Sequence, residues 1–168
     1  MADVLVGRPR AIGAIVDYAS QAWAFKARKV ARYTRLYGPR RTLMKVRGQQ
    51  HMSRTYSALP ANQRPPGSTQ TVGILGCGNF AFTTVAYYLR KNYGAVIRGC
   101  MDVDVNRAAS LFEEYGASYF STDPEEILND EGVRTVYIAS NHASHAPYAI
   151  RALQLGKSVH IEKPHAVS

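Results

Sequence analysis

A doubly wound parallel α/β sheet behind a basic helical arm is the architecture this 168-residue sequence predicts. Three observations predict it. From Thr71 onward, short apolar runs alternate with amphipathic helical patterns, the signature of βαβ units on a parallel sheet. The first run ends in Gly76-x-Gly78-x-x-Ala81, with a helical pattern directly behind it. The second run ends in a carboxylate, Asp102, 24 residues beyond Gly78, near the spacing of about 20 expected for a ribose-binding acid.

The elements follow in order. The pattern predicts strands near 71–76, 96–102, 118–120, 134–140 and 158–162, with helices near 79–92, 104–116, 124–130 and 143–155. Crossovers between such parallel strands are right-handed. Ligands of a doubly wound sheet lie beyond the carboxyl ends of its strands. The first strand delivers Gly76 and Gly78 to that edge, the fourth Ser140, Asn141 and His145, and the fifth Glu162, Lys163 and Pro164. The polar groups thus converge on one edge.

Each small residue of the glycine motif has a physical task. Gly76 permits the tight turn off the strand, Gly78 lets a pyrophosphate approach the backbone, and Ala81 lets the helix pack close. The N–H groups of the helix start, at Asn79 and Phe80, then face the phosphates. This is the Rossmann dinucleotide-binding fingerprint. Asp102 can accept both ribose hydroxyls of an adenosine and would repel a 2′-phosphate. Its neighbour Val103 brings no compensating cation, so the expected cofactor is NAD rather than NADP. The competing reading makes Asp102 or Asp104 the cap of the following helix, and Asp104 fits that role better.

Charge divides the chain. Residues 1–68 carry 13 Lys+Arg against two acids, and residues 69–168 carry 8 against 10. The expected organisation is a basic helical extension over 1–57, a Pro/Gly/Ser linker over 58–70 and a Rossmann domain over 71–168. Within the extension a helix is expected over 14–37, stopped by Gly38-Pro39, and a second short helix within 40–54. The arm is read as packing on a further domain or another subunit of a homo-oligomer. An anionic membrane surface is the second reading, and specific nucleic-acid recognition is not expected. Deleting residues 1–60 is accordingly expected to leave cofactor affinity unchanged. Cys77 and Cys100 have no metal-ligand or disulfide spacing and read as buried thiols of a cytoplasmic protein. No metal site is expected among the four histidines from His142 to His165. The apolar stretch at 11–16 is too short for a secretory or membrane-spanning segment.

Beyond these signals, residues 70–168 resemble the N-terminal domain of the Gfo/Idh/MocA (glucose-fructose oxidoreductase/inositol dehydrogenase) family. The resemblance rests on Gly76-x-Gly78-x-x-Ala81, on Asp102-x-Asp104-x-x-Arg107-Ala108, on Ala139-Ser140-Asn141 with His145, and on Glu162-Lys163-Pro164. It implies a nicotinamide-dependent oxidoreductase that moves a hydride to or from a secondary alcohol or ketone of a sugar, cyclitol or nucleotide-sugar. It implies that Lys163 is the catalytic group, within a Lys-Pro peptide that is typically cis. Glu162 would hold Lys163 or the cofactor ribose, while Ser140, Asn141 and His145 would line the cofactor cleft. Asn141 stands where the family often has Pro. The family's second, substrate-binding α+β domain is absent from these 168 residues, so the chain reads as the cofactor half, inactive alone. The alternative function is a catalytically silent NAD(H)-binding sensor or scaffold module.

Overall fold

The computed structural model describes residues 22–165, and the expected helical residues 14–21 lie outside them. These residues divide into two compact units that meet between Thr42 and Leu43. The first contains helix α1 (Trp23–Tyr37) and the start of α2 (Pro39–Ser53). Gly38, at a φ of 83°, ends α1, and its N–H donates to the Thr34 carbonyl. Within this unit the Thr34 and Thr42 hydroxyls share a hydrogen bond of 2.9 Å. No residue of α1 is buried.

The second unit is a five-stranded, fully parallel sheet in the order β3-β2-β1-β4-β5. The strands are β1 (Val72–Leu75), β2 (Ile97–Met101), β3 (Tyr119–Ser121), β4 (Thr135–Ile138) and β5 (Ser158–Ile161). Four lie within the runs expected for them, and β3 overruns its expected 118–120 by one residue, to Ser121. The order reverses between β1 and β4, and that reversal opens a crevice at the carboxyl ends. A one-and-a-half-turn π-helical stretch, Ala81–Ala86, leads from the glycine loop into α3 (Tyr87–Tyr93). Helices α4 (Val105–Tyr115), α5 (Pro124–Leu128) and α6 (His142–Gln154) complete the layers.

Side chains alternate along a strand, so the sheet feeds two cores. Ile74 and Cys100 join Phe82, Leu111 and Phe112 on one face. Leu75 and Met101 join Ile127, Val136, Ile138 and Ala152 on the other. Gly73 and Gly99 thin the sheet where α5 crosses: a Cβ on Gly73 would come within 2.5 Å of the Ile127 side chain.

The compact unit begins well before residue 71. From Leu43 on, α2 lies on the sheet unit, burying Met44, Gly48 and His51. The stretch at 58–70, expected as a linker, runs along the open edge of β3. Gln63 bridges Tyr119 in antiparallel fashion, and the Arg64 N–H donates to the Ser118 carbonyl at 2.6 Å. The side-chain amide of buried Gln70 donates to the Ile97 and Gly116 carbonyls, both at 2.9 Å. The physical reason is the edge strand itself, whose unpaired backbone groups need partners that a Pro/Gly-rich segment can supply. Among the described residues no helix is long and apolar enough to cross a membrane.

Candidate functional site

At the crevice between β1 and β4 the chain leaves β1 through Gly76, at a φ of 92°. A Cβ there would also lie 2.4 Å from the Ser140 nitrogen, so Gly76 serves both the turn and the close passage of the β4 loop. Gly78 is different. It has no positive φ, and a Cβ added to it would meet nothing within 4 Å. The fold itself does not require a glycine at 78; what is kept free is space above the loop. Open space of that kind is what close approach of a pyrophosphate to a backbone requires.

Asp102 closes β2 and is almost wholly buried. Its Oδ2 accepts from the Cys77 N–H at 2.7 Å, and its Oδ1 accepts from the Asp104 N–H at 2.9 Å. Each carboxylate oxygen keeps a lone pair for a ligand hydroxyl. Asp104 is the cap of α4, accepting from the Asn106 N–H at 3.0 Å, as the spacing predicts. Burial pushes the Cys77 thiol well above its ordinary pKa; both cysteines are free and buried.

A cleft of about 200 Å³ joins these groups. Gly76, Gly78, Asp102, Ser140 and Asn141 line it, with Val103, Arg107, Ser144 and Tyr148. Arg107 is a cation that adjacency in sequence does not reveal: Val103 follows Asp102, but one helical turn later Arg107 returns to the same cleft. Its Nε lies 3.2 Å from Asp104 Oδ2 without an aligned hydrogen bond.

Of the remaining expected residues, Asn79, Phe80, Ala81, His145, Glu162 and Lys163 lie off the cleft wall, while Asn141 lines it and also caps a helix. Asn79 and Phe80 are exposed at the loop tip, and Ala81 is buried under it. Asn141 caps α6, accepting from the Ser144 N–H at 3.1 Å. His145 is fully buried. Its Nδ1 lies 2.7 Å from the Pro164 carbonyl and its Nε2 lies 3.1 Å from the Ser140 carbonyl, so the ring ties the loop after β4 to the turn after β5. That turn contains the cis Lys163–Pro164 peptide. Glu162 extends the ladder, its N–H donating to the Ile138 carbonyl at 2.9 Å, and Lys163 stands exposed beside the clamp. His160 stacks flat on Tyr137 at 4.6 Å.

Two contributors escaped sequence reasoning. His51 Nε2 lies 2.6 Å from the Cys77 carbonyl, and its ring stacks on Phe82 at 4.1 Å. Gly48 sits against the glycine loop so closely that a Cβ would come within 2.4 Å of the Asn79 side chain. Helix α2 is basic and lacks an apolar stripe, so no periodicity announced this contact.

A reversed parallel sheet with a glycine turn, a space-keeping glycine and a buried acid at the next strand end defines a dinucleotide-binding Rossmann domain. Residues 70–168 match the family model described as an oxidoreductase family with an NAD-binding Rossmann fold, and the chain belongs to that family, Gfo/Idh/MocA. Among curated relatives, "Oxidoreductase P35" of Formosa agariphila is 30% identical over 92 residues, covering 55% of this chain and 29% of the relative. A scyllo-inositol 2-dehydrogenase (NAD(+)) of Bacillus subtilis is 32% identical over 100 residues, covering 56% and 28%. Among solved structures, the 3-ketoreductase KijD10 of Actinomadura kijaniata, in complex with NADP and TDP-benzene, has a TM-score of 0.54 at 26% identity, covering 58% of this chain and 30% of that one. An oxidoreductase from Agrobacterium radiobacter in complex with NAD+, L-tartaric acid and magnesium has a TM-score of 0.53 at 25% identity, covering 60% and 29%. The chain spans less than a third of the length of each of these.

Proposed function

We propose that this chain is the cofactor-binding part of a nicotinamide-dependent oxidoreductase acting on a secondary alcohol or ketone of a sugar, cyclitol or nucleotide-sugar. The observation that carries the reading is the open space above Gly78 in the same cleft as Asp102. The backbone N–H groups at Gly78, Asn79 and Phe80 would hold the pyrophosphate at the helix start. Asp102 would accept the adenosine ribose hydroxyls and disfavour a 2′-phosphate. Arg107 opposes that selectivity in part, so the expected preference for NAD over NADP is moderate. When bound, the cofactor supplies the hydride or accepts it. Ser140 and Asn141 would bound the cleft on the β4 side. His145 would position the Lys163–Pro164 turn through its contact with the Pro164 carbonyl. Lys163 would polarise the reacting oxygen of the substrate and help move its proton, with Glu162 beside it as an orienting carboxylate. The KijD10 likeness, with its nucleotide-linked ligand, and the inositol dehydrogenase relative support a polyhydroxylated substrate class. Calorimetric titration of the chain with NADH and NADPH tests the reading: tighter NADH binding is expected. Absence of binding to either would overturn it.

A further inference from the structure

We infer that the basic extension is part of the cofactor site: the Leu43–Ser53 portion of α2 is a strap, and His51 is the positioning residue that aims the pyrophosphate loop. The inference rests on the cofactor reading above and concerns residues that precede the matched family region, 70–168.

The argument starts with one peptide plane. A trans peptide directs its C=O and N–H to opposite sides, and among the described residues only Lys163–Pro164 is cis. The Cys77 carbonyl lies 2.6 Å from His51 Nε2 on the α2 side. The Gly78 N–H of the same plane is therefore turned the other way, out of the α2 face. The preceding plane is held as well, because the Cys77 N–H donates to Asp102 Oδ2 at 2.7 Å. Both peptides flanking Cys77 are thus pinned, one by the ribose-side carboxylate and one by the strap.

Independent contacts keep the strap seated. The His51 ring stacks on Phe82, the second residue of the π-helical stretch. A Cβ on Gly48 would meet Thr83 Cγ2 at 2.3 Å and Asn79 Oδ1 at 2.4 Å, so only glycine lets the helix approach this closely. At the rim, Arg47 pairs with Glu114, and Arg54 with Glu113 at 2.8 Å. The Tyr56 N–H donates to Asn106 Oδ1 at 2.9 Å. His51 is buried with Nδ1 lacking a hydrogen-bond partner among the described residues. A purely space-filling role would be served as well by an apolar ring; the Nε2–carbonyl contact is what makes the histidine specific.

The test separates aiming from general support. His51→Phe keeps the ring stack and removes the donor, while His51→Gln restores an N–H near the position of Nε2. The 168-residue chain and its variants are titrated with NADH, with ADP-ribose and, by NMR, with adenosine, which lacks the pyrophosphate. His51→Phe is expected to raise the Kd of NADH and ADP-ribose about tenfold, the scale of one buried hydrogen bond. Adenosine affinity should be unchanged, and His51→Gln should recover most of the loss. Gly48→Ala, which pushes on Asn79 and Thr83, should weaken NADH and spare adenosine, and it serves as the probe if His51→Phe does not fold. Parallel loss of adenosine, or unaltered NADH affinity in the foldable variants, overturns the inference. A wild-type chain that binds no NADH overturns the cofactor reading, and this inference with it.

Discussion

The two glycines of the fingerprint should fail in opposite ways when substituted. At Gly78 a new side chain meets open space and a backbone without positive φ. Gly78→Val should therefore fold with a stability change of about 1 kcal/mol or less, since restricting the unfolded chain offsets any local cost. Its effect falls on the ligand. The added methyls take the pyrophosphate position and remove about two charge-assisted hydrogen bonds, each contributing about 1.5–3 kcal/mol. The sum corresponds to a loss of about 10²–10⁴ in NADH affinity. At Gly76 the same chemistry strikes the fold. A φ of 92° is strained for any L side chain, and the Cβ would lie 2.4 Å from the Ser140 nitrogen. The conformational strain alone costs roughly 1–2 kcal/mol, and backbone displacement adds to it. Gly76→Ala should thus lower Tm by several degrees and weaken binding as well. Thermal unfolding and NADH calorimetry on both variants decide it. Normal NADH binding by Gly78→Val, or a Tm loss as large as that of Gly76→Ala, would refute the reasoning.

Asp102→Asn keeps an acceptor for the Cys77 N–H and removes the charge, so NADPH affinity should rise toward that of NADH by about tenfold; the Coulomb term at a few Å and intermediate dielectric easily supplies this. Calorimetry with both cofactors checks it. In a protein that carries the chain together with the remaining length of its relatives, Lys163→Ala should lower kcat by about 10²-fold with little change in cofactor Kd, read by steady-state kinetics. The 168 residues alone should bind cofactor without turnover, since hydride transfer needs a substrate held about 3–3.5 Å from the nicotinamide. Deleting residues 1–42 should leave NADH affinity intact. Deleting 1–60 should reduce it and lower Tm, because it removes buried Met44 and His51; this replaces the expectation from composition that the whole arm is dispensable. Finally, burial lowers the His51 pKa below its ordinary 6.5. The unfolded chain then binds the proton more readily, so the His51 contribution is fully present above about pH 6.5 and is lost as pH falls below it. Thermal melts from pH 7.5 to 5.5 should show this loss, and His51→Phe should flatten it.

Much of the sheet unit was legible because its signals are local. Gly76, Gly78 and Ala81 follow a strand and open a helix within a dozen residues, and Asp104 caps the helix it immediately precedes. The strand at 96–102 is an apolar run whose successive residues, Cys100 and Met101, serve opposite faces. Contacts across long separations were not legible. His145 looks like a cleft residue beside Ser140 and Asn141, yet its ring is consumed in tying Ser140 to Pro164. Arg107 reaches the cleft of Asp102 only because α4 turns once before it does.

Sequence by itself determined the class of this protein. The period of its apolar residues dictates strands and helices, the missing side chain at Gly78 leaves the loop uncovered, and the acid at 102 falls at the next strand end. These are one-dimensional facts, since backbone sterics and burial periodicity act over a few residues. Tertiary structure decided where the domain begins and what holds the loop. The basic stretch after Leu43 and the Pro-rich segment after it carry no periodic apolar face, so nothing local foretold their packing. They are recruited by groups presented elsewhere: the Cys77 carbonyl, which takes the His51 proton donor, and the edge of β3, which takes the backbone of residues 62–64. An unpaired backbone group is costly to bury wherever it lies in the chain, and only the folded sheet reveals which groups were left to be paired.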